Sequence, residues 1–214
     1  MRIRYLAHAA FLITSDAGVR IVTDPYATSP GIKHGEIKET ADIVTVSHEH
    51  GDHNNTDAVG GNPKVVRASA EVKGIKIRAI PSAHDDRGGI QRGTNTIFCF
   101  EVDGINVCHS GDLGHTLSEE QVKAIGKVDL LMIPVGGFFT VDAKTATRVV
   151  EQIKPKVVIP MHYKTEKTPE FPISGVDEFI KGKSNVTRVN GSEIALKAGA
   201  LPAATQIMVL KQSL

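Results

Sequence analysis

Val44–Asn55 reads VTVSHEHGDHNN, and the fold and chemistry of the chain turn on how this stretch is read. An apolar, β-branched run, Ile43–Ser47, gives way to three imidazoles and a carboxylate: His48, His50, Asp52 and His53. β-Branched residues favour extended backbone, so the polar cluster stands at the mouth of a strand. Extended geometry over His48–His50 would point both rings the same way, because side chains two apart share a face. Gly51 lets the chain turn sharply and present Asp52 and His53 to a second position. Such residues cannot build a hydrophobic core. Imidazole nitrogens with a little carboxylate suit zinc and its neighbours rather than calcium or magnesium.

Around that cluster the chain reads as a layered α/β domain. Strands are expected at Arg2–Leu6, Phe11–Thr14, Arg20–Thr23, Ile43–Ser47, Val65–Arg67, Ile75–Ile80, Thr96–Val102, Ile105–His109 and Leu130–Pro134, many ending in turn residues. Ser118 with Gln121 has the form of a capping box opening a helix to about Ile125, and Asp142 can cap AKTATRVVEQI before Pro155. VVIPMHY then reads as a buried strand, VDEFIKG as a short helix, and the last third as two or three more strands. Cys99 and Cys108 lie in a hairpin with Asp103-Gly104 as its two-residue turn, which sets them opposite each other as reduced thiols.

Composition bounds the class. The 214 residues are 41% hydrophobic, enough for a core without staples, and the length favours one domain over residues 1–214. Lys and Arg number 25 against 24 Asp and Glu, so the formal net charge of +1 gives no electrostatic reason to expect a nucleic-acid partner. VDLLMIPVGGFF is the best candidate for a membrane span, and Asp129, Pro134 and a glycine pair break it. At the N-terminus Arg2 and Arg4 alternate with Ile3 and Tyr5 as in a strand, and His8 interrupts the apolar run, so no signal peptide is expected. A cytoplasmic location is the expectation that follows.

HEHGDH resembles the H-x-H-x-D-H signature of the metallo-β-lactamase superfamily. Other stations of the family pattern have counterparts in the same order: Asp24 in IVTDPY, His84 in IRAIPSAHDD, Asp112 in NVCHSGDLGH and His162 in VVIPMHYKT. The resemblance implies the family's α/β fold, an αββα four-layer sandwich with its site at one edge of two sheets. SGDLGH, PVGGFFTVDA and IPMHYKTE look like the compact branch that includes the phosphorylated-sugar lactonases and other Zn-dependent hydrolases. The N-acyl-ethanolamine phospholipases are similar at the metal stations. The departures narrow the reading. No Cys occupies a ligand station, SAHDD replaces the G-H-T-x-G-H of glyoxalase-type members, and His50 stands where flavodiiron proteins carry Glu. The chain is also too short for the inserted cap domain of the family's RNA nucleases.

By the resemblance, His48, His50 and His84 would hold one metal ion, Asp52, His53 and His162 a second, and Asp112 would bridge them, with Asp52 counted among the catalytic residues. Asp24 fits the orientation of a ligand histidine through its other ring nitrogen. The implied cofactor is a pair of Zn2+ ions, with Mn, Fe or Ni able to use the same donors. Water bound there would lose a proton near pH ~7 and attack an acyl or phosphoryl centre. The expected activity is hydrolysis of an ester or lactone of a small molecule. A small or lipid phosphodiester is the alternative electrophile, and a non-catalytic metal scaffold the alternative of another class. His115 could donate a proton to a leaving group. Gly136 and Gly137 could bring backbone close to a ligand, and Lys164 could bind an anionic substrate group. His109 reads as a packed core histidine, competing weakly with His84, and His8 and His34 as surface or packing residues. Oligomeric state is not written in these motifs.

Overall fold

Alternating burial along β2 (Ala10–Thr14) separates two cores: Phe11 and Ile13 enter a large cluster, Ala10 and Leu12 a smaller one. β3 (Arg20–Thr23) and β4 (Ile43–Thr45) divide in the same way, with Ile21 and Ile43 on one side and Val22 and Val44 on the other. Period-two division is what a sheet covered on both faces requires. In the computed structural model, which describes residues 1–214, β1 (Arg2–Ala7), β5 (Lys64–Val66) and β13 (Glu193–Ala195) complete this sheet in the order β13-β1-β2-β3-β4-β5.

A second sheet has eight strands. β6 (Ala70–Val72), β7 (Ile75–Ala83), β8 (Thr94–Val102) and β9 (Ile105–His109) form an antiparallel meander. β10 (Leu130–Pro134), β11 (Val157–Met161), β12 (Val186–Arg188) and β14 (Gln206–Val209) extend it in parallel, in the order β12-β14-β11-β10-β9-β8-β7-β6. β10 and β11 are buried at every residue, as parallel strands covered on both faces must be. The sheets face each other across the large core, where Tyr5 stacks on Phe11 at 4.6 Å.

Three helices pack against the eight-stranded sheet. α1 (Glu119–Ile125) opens with the reciprocal Ser118–Gln121 capping box. α2 (Ala143–Ile153) opens with the Asp142 carboxylate accepting Thr145 N–H, a cap worth about 1 kcal/mol. α3 (Val176–Ile180) buries Val176 and Phe179. The outer layer over the six-stranded sheet is coil, residues 25–42, which buries Tyr26, Ile32, Ile37 and Ala41 in the smaller core. The fold is thus the α/β sandwich of the metallo-β-lactamase type, helical on one outer face and irregular on the other. The hairpin stands as expected: Asp103 and Gly104 both have positive φ, and Cys99 pairs with Cys108 in register as free thiols. No helix is long and apolar enough to cross a membrane.

Candidate metal centre

β3 and β4 are parallel, and so are β7, β9 and β11, so the C-terminal ends of these strands gather at one edge of the sandwich. A Thr96 N–H donated to the Ser47 carbonyl (2.9 Å) ties the two sheets together there. Asp24 follows β3, His48 follows β4, and His84, Asp112 and His162 follow β7, β9 and β11. Two glycines make this convergence possible. A Cβ on Gly111 would lie 2.5 Å from Ser47 Cβ, and one on Gly114 would lie 2.2 Å from the Asp85 backbone nitrogen. Only a bare backbone lets the turn around Asp112 approach the two histidine segments so closely.

The ligand atoms of His48, His50 and His84 lie within 4.8 Å of one another, and so do those of His8, Asp52, His53 and His162. Asp112 joins the two groups. Its Oδ2 is 3.2 Å from Nε2 of His53, 3.2 Å from Nε2 of His84 and 3.3 Å from Nε2 of His162.

The rings are aimed from behind. Buried Asp24 accepts the His53 Nδ1–H at 2.9 Å, the Ser47 N–H at 2.8 Å and the Ser47 hydroxyl at 2.5 Å. Ser47 Oγ in turn accepts the His48 Nδ1–H at 2.9 Å. The His84 Nδ1–H reaches the Phe139 carbonyl at 3.1 Å. Each contact leaves Nε2 as the nitrogen turned to the centre. His48 Nε2, His53 Nε2 and Asp112 Oδ1 are buried without any hydrogen-bond partner. Buried polar atoms are rarely left unsatisfied, and these share one small volume, so the donor set fits transition-metal ions.

Burial pushes His48 down to about 4 and His162 down to about 3, so both rings are neutral donors at neutral pH. Burial also opposes charge on His53 and His84, but the Asp112 carboxylate outweighs it and raises both. Asp112 lies well below the ordinary carboxylate range: its burial is overcome by the surrounding imidazoles, His162 and His53 first. Asp52 is lowered too, against its burial, by His53 and His8.

His48, His50, Asp52, His53, His84, Asp112 and His162 are brought together, with Asp24 bracing from behind. The other candidates stand in different surroundings. His115 Nε2 accepts the Ala83 N–H (3.1 Å) and its Nδ1–H is donated to the Thr116 carbonyl (2.7 Å). Gly136 and Gly137 lie close against other backbone and side chains: a Cβ on Gly136 would meet the His162 carbonyl at 2.4 Å, and one on Gly137 would meet Asp142 Cβ at 3.2 Å. Lys164 is exposed and does not line the cleft over the cluster. His109 is buried, donating Nε2–H to the Ala9 carbonyl at 2.9 Å.

Sequence reasoning missed several residues here. His8 has positive φ, is buried, and donates Nε2–H to Asp52 Oδ2 at 3.1 Å. Asn95 accepts the Asp112 N–H at 2.9 Å and donates to the Ser110 carbonyl at 2.9 Å, fixing the Asp112 turn. Asn95, between Thr94 and Thr96, stands just outside the strand expected at Thr96–Val102, and no local signal marked it. Nothing local distinguished His8.

Over the cluster opens a cleft of about 370 Å³, walled by ligand residues and by Gln91, Arg92, Phe139 and Phe171. Residues 2–162 match the family model of the β-lactamase superfamily domain. The UPF0173 metal-dependent hydrolase of Thermococcus onnurineus is 32% identical over 193 residues, covering 77% of this chain and 85% of the relative. That of Pelotomaculum thermopropionicum is 31% identical over 196 residues with the same coverage, 77% and 85%. A solved metallo-β-lactamase superfamily structure from Thermotoga maritima has 37% identity and a TM-score of 0.80, covering 98% of this chain and 97% of the other. The chain belongs to the metallo-β-lactamase superfamily. More narrowly, it falls among the UPF0173 metal-dependent hydrolases.

Proposed function

We propose that the chain hydrolyses an ester or lactone of a small molecule at a dinuclear, zinc-type centre. The observation behind this reading is the approach of three Nε2 atoms, from both ligand groups, to one carboxylate oxygen of Asp112. A carboxylate shared between two clusters is suited to bridging two ions about 3.5–4 Å apart. His48, His50 and His84 would hold one ion, Asp52, His53 and His162 the other, and Asp112 both. The Thermotoga maritima relative is described, provisionally, as Zn-dependent, and nitrogen–oxygen donors suit zinc. Bound ions would supply an activated water at neutral pH and stabilise the oxyanion developing on the attacked carbonyl.

The chain's own residues do the rest. Asp24 fixes His53 directly and His48 through Ser47, so neither ring must reorganise when charge develops. His8 holds the Asp52 carboxylate. Phe139 and Phe171 narrow the cleft to a size that suits a small substrate and limits water around it.

Metal content per chain of protein purified without added metal or chelator tests the centre. About two transition-metal ions are expected, falling to about one in His50→Ala. No metal uptake, even after zinc is offered, would overturn the dinuclear reading. Turnover of 4-nitrophenyl esters and aliphatic lactones, set against bis(4-nitrophenyl) phosphate, tests the reaction. Cleavage of the phosphodiester alone would replace ester with phosphodiester as the substrate bond.

A further inference from the structure

Beside the cleft, Asp85 organises a loop. Its buried carboxylate accepts four backbone N–H groups, from Arg87 and Gly89 on Oδ1 and from Gln91 and Arg92 on Oδ2, each at 2.8 Å. The Gly93 N–H closes on the Gly89 carbonyl at 2.9 Å, and the His84 N–H is donated to the Gly93 carbonyl at 3.1 Å. Arg92 is thereby tied, through its own backbone, to the residue that follows a ligand histidine.

Its side chain lines the cleft, and it is the one permanent cation there. The guanidinium carbon stands 6.0 Å from the Phe138 ring centre and 5.9 Å from that of Phe139. Arg2, Arg4, Arg20, Arg67 and Arg188 are each paired with a carboxylate; Arg78, Arg87, Arg92 and Arg148 are not, and of these only Arg92 lines the cleft. The aromatic rings pack against the charge without neutralising it. Cavities of about 340 and about 520 Å³ adjoin the cleft, and Arg92 borders both, which leaves room for a substrate arm to reach it. An unpaired guanidinium on a braced loop is preorganised for a bidentate anion, carboxylate or phosphate alike.

We propose that Arg92 is an anion anchor: the substrate carries a carboxylate or phosphate group a few bonds from the ester or lactone, and Arg92 binds it while the metal side holds the reacting carbonyl. This rests on the hydrolase reading of the same site and names its substrate class. It also places the anion-binding role on Arg92 rather than on Lys164, which the cleft does not include.

Calorimetric binding of butyrate, glutarate and 3-phosphonopropionate to the zinc-loaded protein tests it. Butyrate offers one carboxylate, for the metal side, and the other two add a second anion at the far end. At least one dianion is expected to bind about tenfold more tightly than butyrate, or about 1.4 kcal/mol. In Arg92→Gln this advantage should fall to within about twofold, and Arg92→Lys should keep part of it, because the charge remains without the planar fork. Which dianion gains tells carboxylate from phosphate. No dianion advantage in the parent, or one that survives Arg92→Gln, overturns the proposal. The preference is read without turnover. Failure to cleave 4-nitrophenyl butyrate would therefore count against the hydrolase reading and leave the anchor to be judged by binding.

Discussion

The two ligand clusters share Asp112 but are built to different standards. In the first, His50 is exposed and no hydrogen bond braces its ring, while His48 leans on a hydroxyl and His84 on a backbone carbonyl. In the second, His53 is fully buried against the carboxylate of Asp24, Asp52 is held by His8, and the His162 N–H is donated to the His8 carbonyl at 2.9 Å. The second cluster is thus the more deeply buried. Both line the cleft, His50 and His84 from the first and Asp52 and His162 from the second, and only the first also borders the neighbouring cavity, through His48 and His50. Unequal support of this kind would hold an ion in the second cluster more firmly than one in the first.

Asp24→Ala should do the most damage, because Asp24 supports both clusters. It would strip acceptors from Ser47 and from His53 Nδ1 where neither has access to water. Loss of one partner from a buried charged pair costs about 3–5 kcal/mol, and loss of such a bracing contact about 10–100-fold in metal affinity. Urea unfolding and metal competition measure the two effects. Ser47→Ala should weaken the first cluster alone, and equal damage to both would break the comparison.

Gly136→Ala and Gly114→Ala attack the clusters separately. The new methyl would press on the His162 carbonyl in one and on the His84–Asp85 backbone in the other. Backbone cannot rotate aside, so each change should cost about 1–3 kcal/mol. Metal retention should fall in the second cluster for Gly136→Ala and in the first for Gly114→Ala, as read by metal content after dialysis.

Local pattern was enough to place the strands that turn residues bracket. Arg20–Thr23, Ile105–His109 and Leu130–Pro134 have the same limits in sequence reading and structure. β7 runs past its expected end at Ile80 to Ala83, through Pro81. The N–H groups of Ala79 and Ala83, two residues either side, point away from β8 to Ser69 and His115. Pro81 therefore lacks a donor where no strand needed one. β6 went unread because Ala70-Glu71-Val72, at a sheet edge, is too short to show a pattern, and the coil over the six-stranded sheet has no periodicity to read. The candidate ligands were readable because they follow strands in the order of the family pattern. His8, Asn95 and Arg92 were not, because each acquires its role only from residues that folding brings to it. His8 and Asp52 are 44 positions apart.

Graded chelation should empty the first cluster before the second, with an affinity gap of about tenfold or more. The pH dependence sharpens this. Each cluster pairs a histidine that burial keeps neutral, His48 or His162, with one that Asp112 raises, His84 or His53. Metal must displace the retained protons, so affinity should rise with pH between about pH 6 and about pH 8. His53 is raised further than His84, so the second cluster should show the steeper rise. Stability of the metal-free chain runs the other way for these two groups: their contribution is full below the ordinary imidazole value and lost as pH rises through their folded values. His48 and His162 withdraw stability as pH falls from about 6.5, since the unfolded chain then binds protons that the folded chain refuses. Competition titrations across that range, with proton release followed by calorimetry in two buffers, check the signs.

The smallest effect is expected at Lys164, two residues beyond His162. Its backbone N–H is donated to the Ser174 carbonyl at 2.9 Å, while its side chain is exposed and outside the cleft. Proximity in sequence to a ligand of the second cluster therefore gives it no access to what that cluster faces. Lys164→Ala should change stability by no more than about 0.5 kcal/mol and kcat/KM for an anionic ester by less than about twofold. Arg92→Gln should lower the same kcat/KM by about tenfold, because that cation stands on a braced loop against two rings in the cleft wall. If the two results were exchanged, the anion would enter over the turn after β11, from the side of His162 rather than from the loop that carries Arg92.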